Sequence, residues 1–597
     1  IDNSIEVILA TDDDREGEAI AWHICNVFNL DVTSTKRIIF HEITKTAIDN
    51  AIKNPGFINC NLVYAQQARQ TLDILVGFKI SPFLWSHIVS NTKKSLSAGR
   101  CQTPALRLVY DNYLEIKNSP GRIEFNTTAL FTDKLINFNL NYNHDNNNDI
   151  EQFLELSKQF KHEFNRDNIT KVDKKPPLPF TTSALQQSSN TNLNISPKET
   201  MSLAQTLYES GYITYMRTDS RVYSKEFVDS CKRYIINTYN DGYIHPLVDN
   251  LVQNRDNNEK DTKPKPDDKK TKKNKKSKND NNAQEAHEAI RPTDITCLTI
   301  PDSEDIFTTK HRKLYKLIWT NSITSLMANA VYEQLKVSVT APNKLLYKYT
   351  SENNIFPGWK IINGIESDKY YNYLLNLSCG DINYNKIISK QSIKDLKHHY
   401  NEAKLVQLLE EKGIGRPSTF SSLIEKIQER EYVKLDNIRG KKLKCREYSL
   451  ENSIIIKSDT EREFGNEKNR LVITPTGILV IEFLINNFNE LFDYGYTKNM
   501  ENLLDKIAKG DCLYDDICEQ CYKTITNLSK TNLKSDPEKP KDKFSVKIDE
   551  KHTYIIGKNG PTIKYTEFDS VGNKTDKFYS VKDNLDMDKL RAGDYTI

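Results

Sequence analysis

The sequence has no apolar run long enough to cross a bilayer, and no leader of basic, apolar and small residues opens it. Nothing in it marks a membrane span or a secreted chain, so a soluble intracellular protein is the expectation. A cysteine framework is missing as well. The ten cysteines are scattered, and the single C-x-x-C, Cys518 and Cys521, has no second pair to complete the four ligands of a structural zinc. Two reduced helix cysteines are the plainer reading, and no zinc is expected. There is no G-x-x-x-x-G-K-[ST] loop, so a phosphate cradle of that kind for ATP is not expected either. Nor is one charge in excess. Lys and Arg number 84 against 81 Asp and Glu, a formal net charge of +3, so a polyanion could be held only by a local basic groove or patch. The first residue is Ile1, not Met, which reads as a start inside a longer frame or a split gene.

What is present suffices for several cores. The chain is 597 residues long and 37% hydrophobic, which by length suggests about three to five domains. Ile5–Ala10 is an apolar run ending in an acidic loop. Glu16–Asn29 reads as a helix, with Ala19, Ile20, Trp22, His23 and Val27 at helical spacing. Arg37–Phe40 follows as a strand, and Thr44 caps a second helix, the strand–helix alternation of a parallel α/β sheet. Residues 59–115 read as helical, interrupted at Ser81-Pro82 and at Ala98-Gly99, and residues 120–175 as strands. Residues 183–209 are helical up to Gly211, and Tyr212–Met216 is extended. Residues 253–283 are rich in Lys, Asp, Asn and Pro and cannot bury a core, so they are expected to be disordered, as a solvated insertion or a nonspecific DNA tether. Residues 302–380 mix helix and strand, 402–435 and 475–508 are helical, and the tail from 543 alternates like strands.

Two segments carry chemistry. In Thr11-Asp12-Asp13-Asp14-Arg15-Glu16-Gly17-Glu18, the alternate acids Asp12, Asp14 and Glu16 could converge where strand meets helix and hold Mg²⁺, a hard cation that takes carboxylate oxygens. Acids that merely favour a helix N-terminus are the rival reading. In Gly211-Tyr212-Ile213-Thr214-Tyr215-Met216-Arg217, an extended backbone puts Arg217 on the same face as Tyr215, where it could steady a phosphate and a forming phenolate. A bare Tyr-x-Arg would more readily be a surface pair.

These blocks resemble type IA DNA topoisomerases of the bacterial topoisomerase I type. "ATDDDREGEAIAWHI" resembles the D-x-D motif of their Toprim fold, and "YITYMRTDS" their active-site block. "AQQARQTLDILVGFKISPFLW", "LSAGRCQTPALRLV", "EAHEAIRPT" and "GIGRPSTFSSLIEKIQEREYV" match further blocks in the same order, so the resemblance spans about residues 5–510. It implies that Tyr215 is the nucleophile that forms a 5′-phosphotyrosyl link and Arg217 its transition-state partner. Glu16 takes part in catalysis, and His287 donates to the scissile phosphate or relays a proton. Arg69 and Asp73, one helical turn apart and able to pair, lie near the DNA strand. Ser97, Gly99, Arg100 and Gln102 meet the backbone or a base edge, and Arg416, Ser418 and Thr419 form a phosphate contact. The first strand of the Toprim fold, with its glutamate, and a lysine typical of the family would lie ahead of Ile1.

The fold so implied is multidomain α/β plus α, closed as a toroid. It comprises a Rossmann-like Toprim domain (C-terminal part only, 1–58) and a helical DNA-binding domain from 59–115 and 386–510. A β-rich arch or hinge comes from 116–178 and 303–385. A catalytic-tyrosine helical domain spans 179–302, and a C-terminal repeat spans 543–597. The implied activity is relaxation of negatively supercoiled DNA through single-strand cleavage, passage and religation, with Mg²⁺ and without ATP, by a monomer. Two other classes fit parts of the pattern: a DNA-binding homologue without activity, if the Toprim glutamate is absent, and a Toprim nuclease or primase.

Overall fold

The computed structural model describes residues 4–88, 95–252, 288–302, 304–532, 545–557, 560–568 and 574–581. The stretch 253–283, expected to be disordered, and His287 lie outside the described residues, as does most of the segment after 568.

The N-terminal unit is a small α/β layer. β1 (Ile8–Leu9) pairs in parallel with β2 (Lys36–Arg37) through the crossover helix α1 (Arg15–Val27), as the alternation predicts. Thr44 caps α2 (Lys45–Lys53), its hydroxyl accepting from Ala47 N, and β3 (Gly56–Phe57) adds an antiparallel edge to β2. The buried face of α1 differs from the expected one. Ala19, Ala21 and Cys25 point inward, whereas Ile20 and Val27 are exposed, because the small residues permit close packing on the next helix.

That next helix, α3 (Cys60–His87), runs without a break through Ser81-Pro82, where the sequence suggested an interruption. Proline deletes one backbone hydrogen bond. The helix continues because Val76, Ile80, Ser81 and Leu84 extend one buried face past it, and Ser81 Oγ accepts from Ala98 N at 3.1 Å. α4 (Gln102–Asn118) follows. Both helices share a core with residues remote in sequence: Leu72, Leu84 and Leu106 pack with Leu405, Ile424, Leu484 and Leu504. The later residues sit on the Glu402–Lys412, Phe420–Glu429, Pro475–Phe492 and Tyr494–Lys509 helices.

A large antiparallel sheet forms a second mass. Its order is Gly380–Asp381, Glu163–Arg166, Ala330–Thr340, Leu346–Phe356, Ile136–Leu140, Arg122–Phe131, Tyr384–Lys394, Lys441–Glu451, Ile454–Phe464, and Thr170–Lys174 also pairs with Ala330–Thr340. Residues 386–394 and 441–464 fell within the piece assigned to the helical DNA-binding domain (386–510), outside the helices expected at 402–435 and 475–508, and they lie in strands of this sheet. Period-two burial decides it: Ile387 and Ser389 are buried on one face, and Ile387 pairs with Ala129. The third mass is helical, with Leu185, Leu207, Ile213, Val228, Ile318 and Ile323 at its core, and it carries the 211–217 segment.

Candidate active site

The acidic loop is built between β1 and α1. Asp14 has extended backbone and caps α1, its Oδ1 accepting from Gly17 N at 2.8 Å. Residue 17 must be glycine, since a Cβ there would sit 2.0 Å from the Asp12 carbonyl oxygen. Buried Arg37 fixes the other side of the loop. It donates to the Asp12 carbonyl oxygen at 2.8 Å and pairs with Glu18 at 3.2 Å, and Glu18 also accepts from Asn59 N at 2.6 Å.

The tyrosine segment arrives from the end of the Pro197–Glu209 helix. Gly211 makes the turn at φ +77°, with room for a Cβ denied by the Ile43 carbonyl oxygen at 2.6 Å. The chain then runs extended. Thr214 N donates to the Arg291 carbonyl oxygen at 2.9 Å, and Tyr215 N to that of His41 at 2.8 Å. The carbonyl oxygen of Met216 accepts from Thr182 Oγ1 at 2.6 Å. These bonds leave the phenol of Tyr215, 3% exposed, a single direction, with the Tyr208 ring edge-on at 5.3 Å.

In that direction lies Asp14. Tyr215 Oη donates to Asp14 Oδ2 at 2.6 Å, and Arg217 Nη1 donates to the same oxygen at 3.2 Å. Burial, and then the Asp14 carboxylate, push the phenol far above its ordinary range, while Arg217 pulls the other way. Burial would raise Asp14 too, but the Tyr215 hydroxyl, Gly17 N–H and Arg217 outweigh it and hold that carboxyl low. The resting proton therefore belongs to the phenol. Asp12 is raised, by burial first and by the neighbouring Asp14 second. Two neighbouring carboxylates, one of them raised, suit a divalent cation bound through one or two carboxylates and water.

Glu16 does not complete a triplet. Its carboxylate is turned onto α3, where it accepts from Gln66 Nε2 at 2.9 Å and from Arg69 Nη1 at 3.2 Å. Among the described residues no three His, Cys, Asp or Glu side chains converge as metal ligands. The reason is helical geometry: Glu16 lies inside α1, rotated away from the loop that carries Asp12 and Asp14.

A groove of about 830 Å³ adjoins the loop, and seven of the residues expected to touch DNA line it: Arg69, Asp73, Ser97, Gly99, Arg100, Gln102 and Thr419. Four residues depart from expectation. Arg69 pairs with Glu16 and not with Asp73. Arg100 is 2% exposed, with Asp73 at 3.1 Å on one side and Glu501 on the other, so its charge is already matched inside the body instead of being offered to a phosphate. Thr419 Oγ1 accepts from Arg416 N at 2.9 Å, closing the loop. Arg416 lies outside the groove lining and pairs with Asp505 at 2.6 Å, and Asp505 also pairs with Arg15 beside the acidic loop. Ser418 is half-buried and likewise outside the lining.

Local sequence gave no sign of Glu501, Asp505 or Arg15 as partners. Glu501 and Asp505 stand one turn apart on a helix, but the arginines they meet are remote in the chain. The Glu288-x-x-Arg291 pair had the right spacing for a helix turn, yet its third partner, Glu42, had no local signal.

A family model described as DNA topoisomerase matches residues 57–448, and a Toprim domain model matches residues 2–43. DNA topoisomerase 1 of Buchnera aphidicola (subspecies Acyrthosiphon pisum) is 33% identical over 542 residues, covering 89% of this chain and 55% of that protein. The Vibrio cholerae DNA topoisomerase 1 is 35% identical over 528 residues, covering 86% of this chain and 53% of that protein. The chain thus spans about half the length of the curated relatives it matches. The solved structure of full-length topoisomerase I from Thermotoga maritima superposes with a TM-score of 0.72 at 25% identity, covering 97% of this chain and 86% of that one, so the two share a multidomain fold. With two thirds of its length matched by the family model and its acidic loop inside a Toprim match, this chain belongs to the bacterial type IA DNA topoisomerase family.

Proposed function

We propose that this chain relaxes negatively supercoiled DNA without ATP by cutting one strand with Tyr215, passing another strand through, and resealing. The observation that carries the reading is the contact of the Tyr215 phenol with Asp14 Oδ2 at 2.6 Å, with Arg217 on the same oxygen. As a scissile phosphate enters, Arg217 is placed to meet the non-bridging oxygens and the charge that develops on the phenol. The phenol oxygen bonds to phosphorus, the bond to the 3′ oxygen of the sugar breaks, that oxygen takes a proton from water and leaves as the 3′ hydroxyl, and a 5′-phosphotyrosyl link results. Asp14 is in reach of the phenolic proton. Its low affinity for protons means the transfer occurs only as the new bond forms. Religation is the reverse, with the 3′ hydroxyl attacking phosphorus and the phenol regaining its proton. The phosphodiester energy stays in the link, so no nucleotide hydrolysis is needed.

Asp12 and Asp14 fit Mg²⁺, which when bound supplies positive charge beside the phosphate. Glu16 acts instead through Arg69, orienting it at the mouth of the groove. A single strand suits that groove: Phe78 and Trp85, both largely exposed on α3, offer faces for unstacked bases, while Arg69, Lys426 and Arg430 offer charge to the backbone. The working unit of this reading is a monomer. The large sheet would act as the hinge and the 179–302 unit as the moving gate of a toroid.

The test is Tyr215→Phe. It should fold, lose the covalent complex trapped by denaturant on a single-stranded oligonucleotide, and lose relaxation of negatively supercoiled plasmid. A covalent complex formed normally by this variant would end the assignment.

A further inference from the structure

The contacts between the N-terminal unit and the tyrosine segment fall into two sets. Tyr215–Asp14 and Arg217–Asp14 end on atoms that the reaction uses, so they cannot hold the two units together once a phosphate occupies the site. The others lie on residues 41–43. Tyr215 N donates to the His41 carbonyl oxygen, Gly211 lies against the carbonyl oxygen of Ile43, and Arg291 Nη2 pairs with Glu42 Oε2 at 3.0 Å. The last of these is an ion pair, and His41 adds a Coulombic attraction to Glu288 beside it.

Arg291 does not need Glu42 in order to fold. It is 5% exposed and already held by Glu288, with Nε at 2.8 Å and Nη2 at 2.7 Å from the two carboxylate oxygens, and it lies over the Phe227 ring. Glu42 is a second carboxylate on a guanidinium that one carboxylate neutralises. Both ends of the contact are stiff. Glu42 Oε1 accepts from Thr44 Oγ1 at 3.0 Å, at the cap of α2. The Arg291 backbone clasps Thr214 in both directions, its carbonyl oxygen accepting from Thr214 N at 2.9 Å and its N donating to Thr214 Oγ1 at 3.1 Å, one residue from Tyr215.

We propose that Glu42 is a positioning residue: through Arg291 it latches the Tyr215 segment to the acidic-loop unit and so sets how readily a cleaved strand is resealed. The inference rests on the strand-cleavage reading above. With the latch closed, the phosphotyrosine and the 3′ hydroxyl stay facing each other, and a loosened latch lowers their effective concentration. Forward cleavage is less affected, because before the cut the unbroken strand itself spans the two units and the His41 carbonyl oxygen still holds Tyr215 N.

The experiment compares the intact wild-type protein with Glu42→Gln and Glu42→Asp on a labelled single-stranded oligonucleotide. It measures the cleavage rate, the religation rate of the isolated covalent complex, the covalent fraction at equilibrium, and the melting temperature. Glu42→Gln should raise the covalent fraction about 3- to 10-fold by slowing religation, with cleavage within about twofold of wild type, a size in keeping with the loss of one partly buried ion pair. Glu42→Asp, which keeps the charge on a shorter stem, should fall between. An unchanged covalent fraction in Glu42→Gln, cleavage and religation falling together, or a melting temperature lowered by many degrees would each overturn the inference. A wild type with no Tyr215-dependent covalent complex removes the cleavage reading and the latch with it. A normal wild-type complex beside an unmoved Glu42→Gln equilibrium removes the latch alone.

Discussion

Tyr215 and Asp14 stand 201 positions apart in the chain, and the phenol of one donates to the carboxylate of the other across 2.6 Å. Each alters the other: the carboxylate keeps the phenol protonated, and the phenol helps keep the carboxylate ionised inside the fold.

Asp14→Asn separates these roles from folding. Asparagine caps a helix about as well as aspartate, so the melting temperature should change little, with a cost of at most about 1–2 kcal/mol from the lost charge contacts. Covalent complex formation should fall by about 10²-fold or more, the scale of losing a proton acceptor in the transition state. Cleavage assays beside thermal melts decide it, and a well-folded variant that cleaves at the wild-type rate would remove Asp14 from the mechanism.

Asp12 bears on the metal. Its carboxyl is raised by burial and by Asp14, so a divalent cation relieves a cost already present in the fold. Mg²⁺ should raise the wild-type melting temperature, a chelator should reverse the rise, and Asp12→Asn should flatten the response. Equal Mg²⁺ responses in both proteins would take Asp12 out of the cation site.

In the groove, charge and stacking can be separated. Lys426→Gln with Arg430→Gln should weaken single-stranded DNA binding and reduce the salt slope by about 1.4, at roughly 0.7 per phosphate contact. Phe78→Ala or Trp85→Ala should cost about 1–3 kcal/mol each and leave the slope unchanged. Trp85 Nε1 also donates to the Leu96 carbonyl oxygen at 2.6 Å, so Trp85→Phe is the control for the local loop. Binding isotherms over a salt series are the measurement, and a slope unmoved by the double variant would argue against backbone contacts there.

Glu501 makes a pH prediction. Fully buried, its carboxyl is driven up by burial but down, more strongly, by Arg100, Arg416 and Arg69, to about 2 from an ordinary 4.5. A depressed carboxyl contributes stability that is complete above the unfolded value and is lost as pH falls through the folded one. Glu501→Gln should therefore destabilise by about 3 kcal/mol at neutral pH, with Arg100 left only Asp73. The gap to wild type should narrow as pH falls from 4.5 toward 2. Denaturant melts across that window test the sign, and a gap that widens in acid would contradict it.

The sequence by itself determined the local pieces: the strand–acidic loop–helix of residues 8–27, the extended Tyr215 segment beyond a left-handed Gly211, the cap at Thr44, and the order of blocks that marks the family. Each is written in residues close together, because capping, periodicity and a positive φ are short-range effects. Only the tertiary structure decided who meets whom. The spacing of Asp12, Asp14 and Glu16 suggested one cluster, but helix rotation sends Glu16 to Arg69. Arg69 and Asp73 had the spacing of a pair, yet each found a stronger partner elsewhere. Arg100 looked like a phosphate ligand and instead is buried on Glu501, some 400 residues away. A charge chooses its partner by burial and distance in the folded chain, and those are set only when the remote helices close over it.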